Sequence, residues 1–102
     1  MIQEAMSTEA FQQYVSTAKQ PILIDFFSRA CAPCKVLAST LEKFVVNHPF
    51  SIIKIDIEIA SEVARNFKVR SVPTLLVVEN SKVLRSFTGN ASEAQILKLI
   101  EG

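Results

Sequence analysis

Residues 22–35 decide the fold, and they read Ile22-Leu23-Ile24-Asp25-Phe26-Phe27-Ser28-Arg29-Ala30-Cys31-Ala32-Pro33-Cys34-Lys35. The first six residues are apolar except for Asp25, a pattern typical of a central strand that is covered on both faces. From about Pro33 onward, apolar side chains recur every three or four positions as far as Val45, which predicts a long helix that ends near Pro49. The segment therefore indicates a buried strand that leads directly into a helix, with two cysteines at the junction.

The rest of the chain alternates between strand and helix patterns. We predict further strands at Ile2–Ala5, Ile52–Ile57, Thr74–Glu79 and Lys82–Thr88, and further helices beginning near Ser7, Ser61 and Ser92. Asn80 and Ser81 separate the last two strands, a spacing that suits a tight hairpin with antiparallel strands. The order β-α-β-α-β-α-β-β-α predicts an α/β fold with a mixed central sheet and helices on both faces.

Composition limits the classes of function. With 102 residues the chain fits one domain, residues 1–102, rather than two separate cores. Its 11 basic and 10 acidic residues contain no like-charge block, which argues against nucleic acid or an anionic membrane as a partner. Only 2 glycines occur, so neither a glycine-rich phosphate loop nor a dinucleotide fingerprint can be formed.

The beginning of the sequence bears on the compartment. It lacks the basic start, apolar stretch and cleavage site of a secretory signal, and no apolar run reaches membrane-spanning length. We therefore expect a cytoplasmic protein that does not bind membranes. In such a reducing compartment, a cysteine pair three residues apart is expected to be catalytic or metal-binding rather than a structural cross-link.

Cys31 and Cys34 are the strongest indication of chemistry in the sequence. At the first turn of a helix, unpaired backbone N–H groups and the positive end of the helix dipole stabilise a thiolate and lower its pKa, which makes Cys31 the predicted nucleophile. Cys34 lies nearly one turn later on the same side, where it can attack a mixed disulfide formed at Cys31, and it is the predicted resolving thiol. Pro33 fits the first turn without losing a hydrogen bond and is expected to tune the redox potential.

Two other interpretations of the cysteine pair remain open. Buried cysteines can serve simply as small hydrophobes, although they seldom flank a proline at a strand-to-helix junction. A zinc site needs four ligands, whereas the chain has two cysteines and one histidine, His48, at the far end of the predicted helix. We therefore expect no metal within one chain and interpret His48 as a solvated residue at the end of that helix.

Asp25 interrupts the apolar strand six residues before Cys31. An unpaired carboxylate at such a position is costly to bury and should have a raised pKa. Such a group can accept the proton that Cys34 must lose before it attacks the mixed disulfide, either directly or through a water. The alternative is an ion pair with a cation, for which Lys54 on the next predicted strand is the candidate, and the two roles are compatible.

Four segments together resemble the thioredoxin family over essentially the whole chain. They are residues 22–27, residues 30–35, Val72-Pro73-Thr74-Leu75-Leu76 and Phe87-Thr88-Gly89. The resemblance implies a thioredoxin fold, with a four- or five-stranded mixed sheet flanked by four helices. It also implies a cis peptide bond that places Val72 and Pro73 against the Cys31 sulfur, and a buried proton acceptor at Asp25 with Lys54 as its cationic neighbour.

The same resemblance implies a substrate groove around the disulfide, in which an extended segment pairs with the backbone before the cis proline. The residues expected to border this groove are Ala30, Ala32, Val72, Pro73, Thr74 and Gly89. The chain departs from the family pattern where Ala30 replaces the usual Trp and Ala32 the usual Gly, changes that alter the contact surface and the loop geometry beside the disulfide. We therefore expect a divergent member of the family with a restricted set of partners.

The activity implied by the resemblance is reduction of disulfide-containing proteins. The Cys31–Cys34 disulfide would be the redox group with no bound cofactor, an NADPH-dependent thioredoxin reductase would supply electrons, and the protein would be a monomer. Two alternatives remain open. One is a thioredoxin-like protein poised as an oxidant or isomerase, and the other is a non-catalytic interaction module that holds a partner in the same groove.

Overall fold

The computed structural model describes residues 2–102, and its elements follow the predicted order. The strands are β1 (Ile2–Ala5), β2 (Ile22–Phe27), β3 (Ser51–Asp56), β4 (Thr74–Glu79) and β5 (Lys82–Thr88). The helices are α1 (Thr8–Thr17), α2 (Ala32–Asn47), α3 (Ser61–Asn66) and α4 (Glu93–Glu101). None of these helices is long and apolar enough to cross a membrane.

The strands form one mixed sheet in the order β1-β3-β2-β4-β5. β3 is parallel to both β1 and β2, whereas β4 is antiparallel to β2 and β5 is antiparallel to β4. β2 lies at the centre with a partner on each side, and all of its side chains are buried, as its nearly continuous apolar run predicted. The mixed sheet and the antiparallel hairpin are thus confirmed.

Two apolar cores lie on opposite faces of this sheet. On one face, Ile22, Ile24 and Phe26 of β2 pack with side chains from α1 and α3. On the other face, Leu23 packs with side chains from α2 and α4. Because side chains alternate along a strand, Asp25 is directed to the same face as Leu23, which is the side covered by the helix that carries the cysteines.

Local signals begin α1 and α4 and close the hairpin where the sequence predicted. The Ser7 hydroxyl accepts a hydrogen bond from the third residue of its helix at 3.0 Å, and Ser92 and Gln95 form a reciprocal capping box at the start of α4. Asn80 and Ser81 have φ angles of +49° and +71°, the left-handed conformation that a two-residue hairpin turn requires.

Two details differ from the prediction. β3 ends at Asp56, one residue before Ile57, because the Asp56 carboxylate accepts the backbone N–H of Glu58 at 2.8 Å and turns the chain there. His48 is the C-cap of α2 as expected, but it is half-buried, since its ring stacks on that of Phe44 with centroids 4.8 Å apart. The predicted place of His48 at the end of the helix is confirmed, although its ring is only partly solvated.

Candidate redox site

The two cysteines lie at the beginning of α2 and are joined by a disulfide bond. Cys31 is the N-cap residue, and its Sγ accepts a hydrogen bond from the backbone N–H of Cys34 at 3.2 Å. Their Cα atoms are 5.2 Å apart, within the usual range for a disulfide. Pro33 occupies the first turn, where its missing N–H removes no helical hydrogen bond. The pair thus lies at the start of α2, after the end of β2, where the sequence predicted it.

The two cysteines differ in exposure. Cys31 is partly exposed, whereas Cys34 is only 3% exposed and belongs to the buried face of α2. The residues that flank Cys31, namely Ala30, Ala32 and Pro33, are exposed, and two of them have only a methyl side chain. A disulfide on another protein can therefore approach Cys31 but not Cys34. This difference favours Cys31 as the nucleophile and Cys34 as the resolving thiol.

Asp25 is buried within β2, with 1% of its surface exposed. Neither of its carboxylate oxygens has a hydrogen-bond partner among residues 2–102. Burial disfavours the ionised form and raises the pKa of Asp25 from 3.8 to about 6, while the positive charge of Lys54 opposes this rise. The carboxyl group can therefore take up and release a proton close to neutral pH.

Lys54 occupies the position paired with Asp25 in the parallel ladder between β2 and β3. Its ammonium Nζ lies over the aromatic ring of Phe27, 4.5 Å from the ring centroid, in a cation–π contact. Among the described residues the ion pairs are confined to Arg29 with its two carboxylates, so a direct Asp25–Lys54 pair is absent. Lys54 acts on Asp25 through charge attraction at longer range.

The segment before β4 lies beside the same end of the sheet. The peptide bond between Val72 and Pro73 is cis, as the family resemblance implied. Thr74 pairs with Phe26, one residue before β2 ends, and the Pro73 carbonyl accepts the N–H of Gly89 at 2.9 Å. Gly89 has a φ of +99°, a conformation that favours glycine. Pro73, Thr74 and Gly89 are thus brought together next to the strand that leads to the cysteines.

Sequence analysis missed a cluster of charged side chains at this end of the sheet. Arg29, in the turn before Cys31, forms ion pairs with Glu4 of β1 and with Asp56 at the end of β3. One feature of the predicted topology could have indicated this charged cluster. Because β2 and β3 are parallel, their carboxyl ends meet at one edge of the sheet, so a charged residue that closes β3 lies near the residues that follow β2.

Other parts of the surface are less suggestive of chemistry. A cavity of about 530 Å³ between α1 and the start of β3 is lined in part by Gln13, Tyr14 and Ser51, and it includes neither cysteine. Within the described chain, no three His, Cys, Asp or Glu side chains converge to hold a metal ion. The cysteine pair and Asp25 are the group of side chains on which a functional interpretation rests.

Comparison with known sequences places this site in a family. The family model described as Thioredoxin matches residues 3–102. The chain is 34% identical over 88 residues to the mitochondrial thioredoxin of Mus musculus, a match that covers 84% of this chain and 53% of that protein. It is 31% identical over 91 residues to a thioredoxin of Mycobacterium tuberculosis, covering 87% of this chain and 78% of that protein. The chain thus spans about half the length of the mitochondrial relatives that it matches.

Solved structures have the same architecture. A thioredoxin from Nicotiana alata superposes with a TM-score of 0.87 at 26% identity, covering 98% of this chain and 90% of that one. A thioredoxin from Plasmodium falciparum superposes with a TM-score of 0.85 at 28% identity, covering 97% and 96%. The predicted thioredoxin fold is confirmed, with five strands and four helices over residues 2–102. The chain belongs to the thioredoxin family.

Proposed function

We propose that the protein is a thiol–disulfide oxidoreductase that reduces disulfide bonds in other proteins. Cys31 and Cys34 alternate between a dithiol and a disulfide, and no further cofactor takes part. The observation that carries this proposal is the arrangement of the pair, with a reachable sulfur at the N-cap of α2 and a buried sulfur three residues later. The thioredoxin relatives support the same class of activity.

In the first step, the Cys31 thiolate attacks one sulfur of the substrate disulfide. A mixed disulfide between Cys31 and the substrate forms, and the other substrate sulfur leaves as a thiolate that takes a proton from solvent. The N-cap position favours the attacking thiolate, because the backbone N–H of Cys34 donates to Cys31 Sγ and the positive end of the α2 dipole lies close to it.

In the second step, Cys34 attacks the Sγ of Cys31. Its thiol first loses a proton, which the ionised carboxylate of Asp25 accepts directly or through a water. The intramolecular disulfide forms, the second substrate sulfur leaves, and two electrons have passed from the protein to the substrate. A pKa of about 6 suits Asp25 for this role, since the group is mostly ionised near neutral pH and still basic enough to take the proton.

The proposed substrate groove runs beside Val72 and the disulfide. Within residues 2–102 the backbone N–H and C=O of Val72 take part in no backbone hydrogen bond, so they are free to pair with an extended substrate segment. Gly89 borders this segment through its hydrogen bond to Pro73. Ala30 and Ala32, which flank Cys31, offer only methyl groups for contact with a substrate. The area that a substrate buries beside Cys31 therefore depends on how closely its own surface fits these small residues.

The remaining parts of the proposal concern partners and location. The cycle needs an external electron donor to return the disulfide to the dithiol, and the family resemblance makes an NADPH-dependent thioredoxin reductase the proposed donor. A monomeric state and a cytoplasmic location stay predictions. The relatives include both a mitochondrial and a mycobacterial thioredoxin.

A trapping experiment tests the proposal. With insulin and a dithiol reductant, the wild-type protein should accelerate insulin reduction, whereas pre-reduced Cys34→Ser, mixed with insulin after the reductant has been removed, should accumulate a mixed disulfide with insulin at Cys31. Cys31→Ser is the matched control and should do neither, because it lacks the accessible nucleophile. Absence of both wild-type activity and a Cys34→Ser adduct would exclude the reductase mechanism.

The reduction potential separates the reductase from the alternatives. It can be measured in graded thiol buffers, with the redox state followed by the mass shift on alkylation, since the chain contains no tryptophan to report it. We expect a value of about −270 mV, as for reducing thioredoxins, whereas a value of roughly −200 mV or above would favour an oxidant or isomerase.

A further inference from the structure

Arg29 lies two residues before Cys31 and connects three parts of the chain. Its Nη2 donates hydrogen bonds to both carboxylate oxygens of Glu4 on β1, at 3.0 and 2.8 Å, and its Nη1 donates to Asp56 at the end of β3. The guanidinium carbon also lies 5.4 Å from the centroid of the Phe27 ring. Arg29, Glu4 and Asp56 are called the Arg29 cluster below.

Asp56 holds the guanidinium of Arg29 in a fixed position. The residue is 1% exposed, one carboxylate oxygen accepts the Arg29 hydrogen bond, and the other accepts the backbone N–H of Glu58 at 2.8 Å. A buried carboxylate is costly without partners, so Asp56 strongly favours conformations that keep the guanidinium in place. Glu4 lies on an edge strand, and both of its carboxylate oxygens accept from Nη2, so that together with Asp56 on Nη1 the guanidinium is held from two sides.

The turn that Arg29 belongs to carries the reactive sulfur. Residues 28–31 connect β2 to α2, and the N–H of Cys31 donates to the carbonyl of Ser28 at 3.2 Å. In the oxidised protein the disulfide also fixes Cys31. Reduction removes this cross-link and restores conformational freedom to the turn, so contacts outside the disulfide then decide where the sulfur lies.

We propose that the Arg29 cluster positions the Cys31 turn in the reduced protein and keeps Cys31 Sγ at the N-cap of α2. Arg29 is then a positioning residue, which acts through the geometry of the turn rather than as a charge beside the sulfur. The inference rests on the proposed function for the use of the reactive thiolate. The acidity of the thiol is nevertheless measurable without any protein substrate.

The variant Glu4→Gln separates positioning from direct electrostatics, because the two effects change the pKa of the Cys31 thiol in opposite directions. Removal of a negative charge near a thiolate lowers the pKa of the thiol. A looser turn instead withdraws the sulfur from the helical N–H groups and raises that pKa. Since Glu4 is an exposed residue on an edge strand and the amide has the same shape, we expect this variant to fold.

The expected result for Glu4→Gln is a higher pKa of the Cys31 thiol. A contribution typical of an exposed ion pair gives a rise on the order of 0.3, which is about a twofold slower alkylation at a pH below the pKa. The pH dependence of alkylation by iodoacetamide gives the value for the reduced protein, and peptide masses separate Cys31 from Cys34.

Glu58→Gln is the matched control. Glu58 is exposed, and it contacts Asp56 through its backbone N–H rather than through its carboxylate. The variant therefore removes the same charge near the same end of the sheet and leaves the Arg29 cluster intact. We expect its Cys31 pKa to equal that of the wild type or to lie slightly below it.

Arg29→Lys is a second probe that keeps the positive charge. A single ammonium cannot reproduce the planar, two-sided contacts of a guanidinium with two carboxylates, so positioning predicts a raised Cys31 pKa in this variant as well. A pure charge effect predicts the same Cys31 pKa in Arg29→Lys as in the wild type. The other ionisable groups at this end of the sheet, Asp25, Lys54 and Lys35, keep their identity in every variant. Lys54 is paired with Glu4 in the β1–β3 ladder, so Glu4→Gln also leaves the positive charge of Lys54 less balanced, which lowers the Cys31 pKa and opposes the rise expected from positioning.

The outcomes distinguish this inference from the proposed function. A Cys31 pKa in Glu4→Gln that is lowered, or equal to that of Glu58→Gln, overturns the positioning role even if the wild type reduces insulin. A raised pKa in both Glu4→Gln and Arg29→Lys supports the positioning role even if the wild type leaves insulin oxidised, in which case only the reductase proposal fails.

Discussion

The buried carboxyl group of Asp25 should make the stability of the oxidised protein depend on pH. Its pKa in the folded protein is about 6, against 3.8 for an ordinary aspartate, so the folded state holds a proton that the unfolded chain has lost between these values. Below pH 3.8 Asp25 is protonated in both the folded and the unfolded state, so its ionisation does not lower the free energy of unfolding. As pH rises through this window, the free energy of unfolding falls, and a pKa difference of about 2 corresponds to a loss of about 3 kcal/mol.

Asp25→Asn removes this titration and provides the comparison. Urea unfolding of both oxidised proteins at a series of pH values gives the free energy of unfolding of each. The wild type should lose about 3 kcal/mol relative to Asp25→Asn as the pH rises from about 3 to about 7, with little further change above that range. The absolute stability of the variant at one pH does not matter, because a buried amide carries its own constant cost.

The difference between the two stability curves isolates Asp25, because every other titrating group is present in both proteins. An exposed-site control, Glu58→Gln, should follow the wild-type curve. A difference between wild type and Asp25→Asn that stays constant from about pH 3 to about pH 7 would refute the reasoning. It would mean that the buried carboxylate has partners which offset its desolvation.

Two further substitutions test local features by urea unfolding of the oxidised protein. Ser81→Gly should raise the free energy of unfolding by about 0.5 kcal/mol, because Ser81 has a φ of +71° beside Asn80 and glycine adopts this conformation without strain; a decrease would contradict this. Ser92→Ala should lower it by about 1 kcal/mol, since it removes the hydroxyl that caps α4 and pairs with Gln95; an unchanged midpoint would mean that the cap contributes nothing.

Most of the fold could be predicted because its signals are local. The apolar run of β2, the capping residues Ser7 and Ser92 and the two-residue turn at Asn80 each depend on neighbours within a few positions. Such signals require only the preferences of short segments and the periodicity of apolar side chains. Strand order is different, since β1 pairs with β3 across a long stretch of intervening chain and no local pattern specifies that pairing.

The candidate site divides in the same way. The cysteines, their place at a helix start and the apolar surroundings of Asp25 were readable from residues 22–35. The ring stacking that covers one face of His48 required the packed structure, as did the position of Lys54, whose ammonium lies over Phe27 instead of pairing with Asp25. These contacts depend on side-chain direction, which the sequence pattern of a strand or helix leaves undetermined.

The sequence by itself determined the family, the order of the elements and the two reactive sulfur atoms, because these depend on residue type and short spacing. The tertiary structure alone decided which distant groups meet at the cysteine turn. Arg29 reaches Glu4 and Asp56, which are 25 and 27 positions away in the chain, because parallel β1, β3 and β2 bring these three residues to one region of the sheet. A charge pairs with whatever lies within a few ångströms of it in space, and that proximity exists only once the sheet has formed.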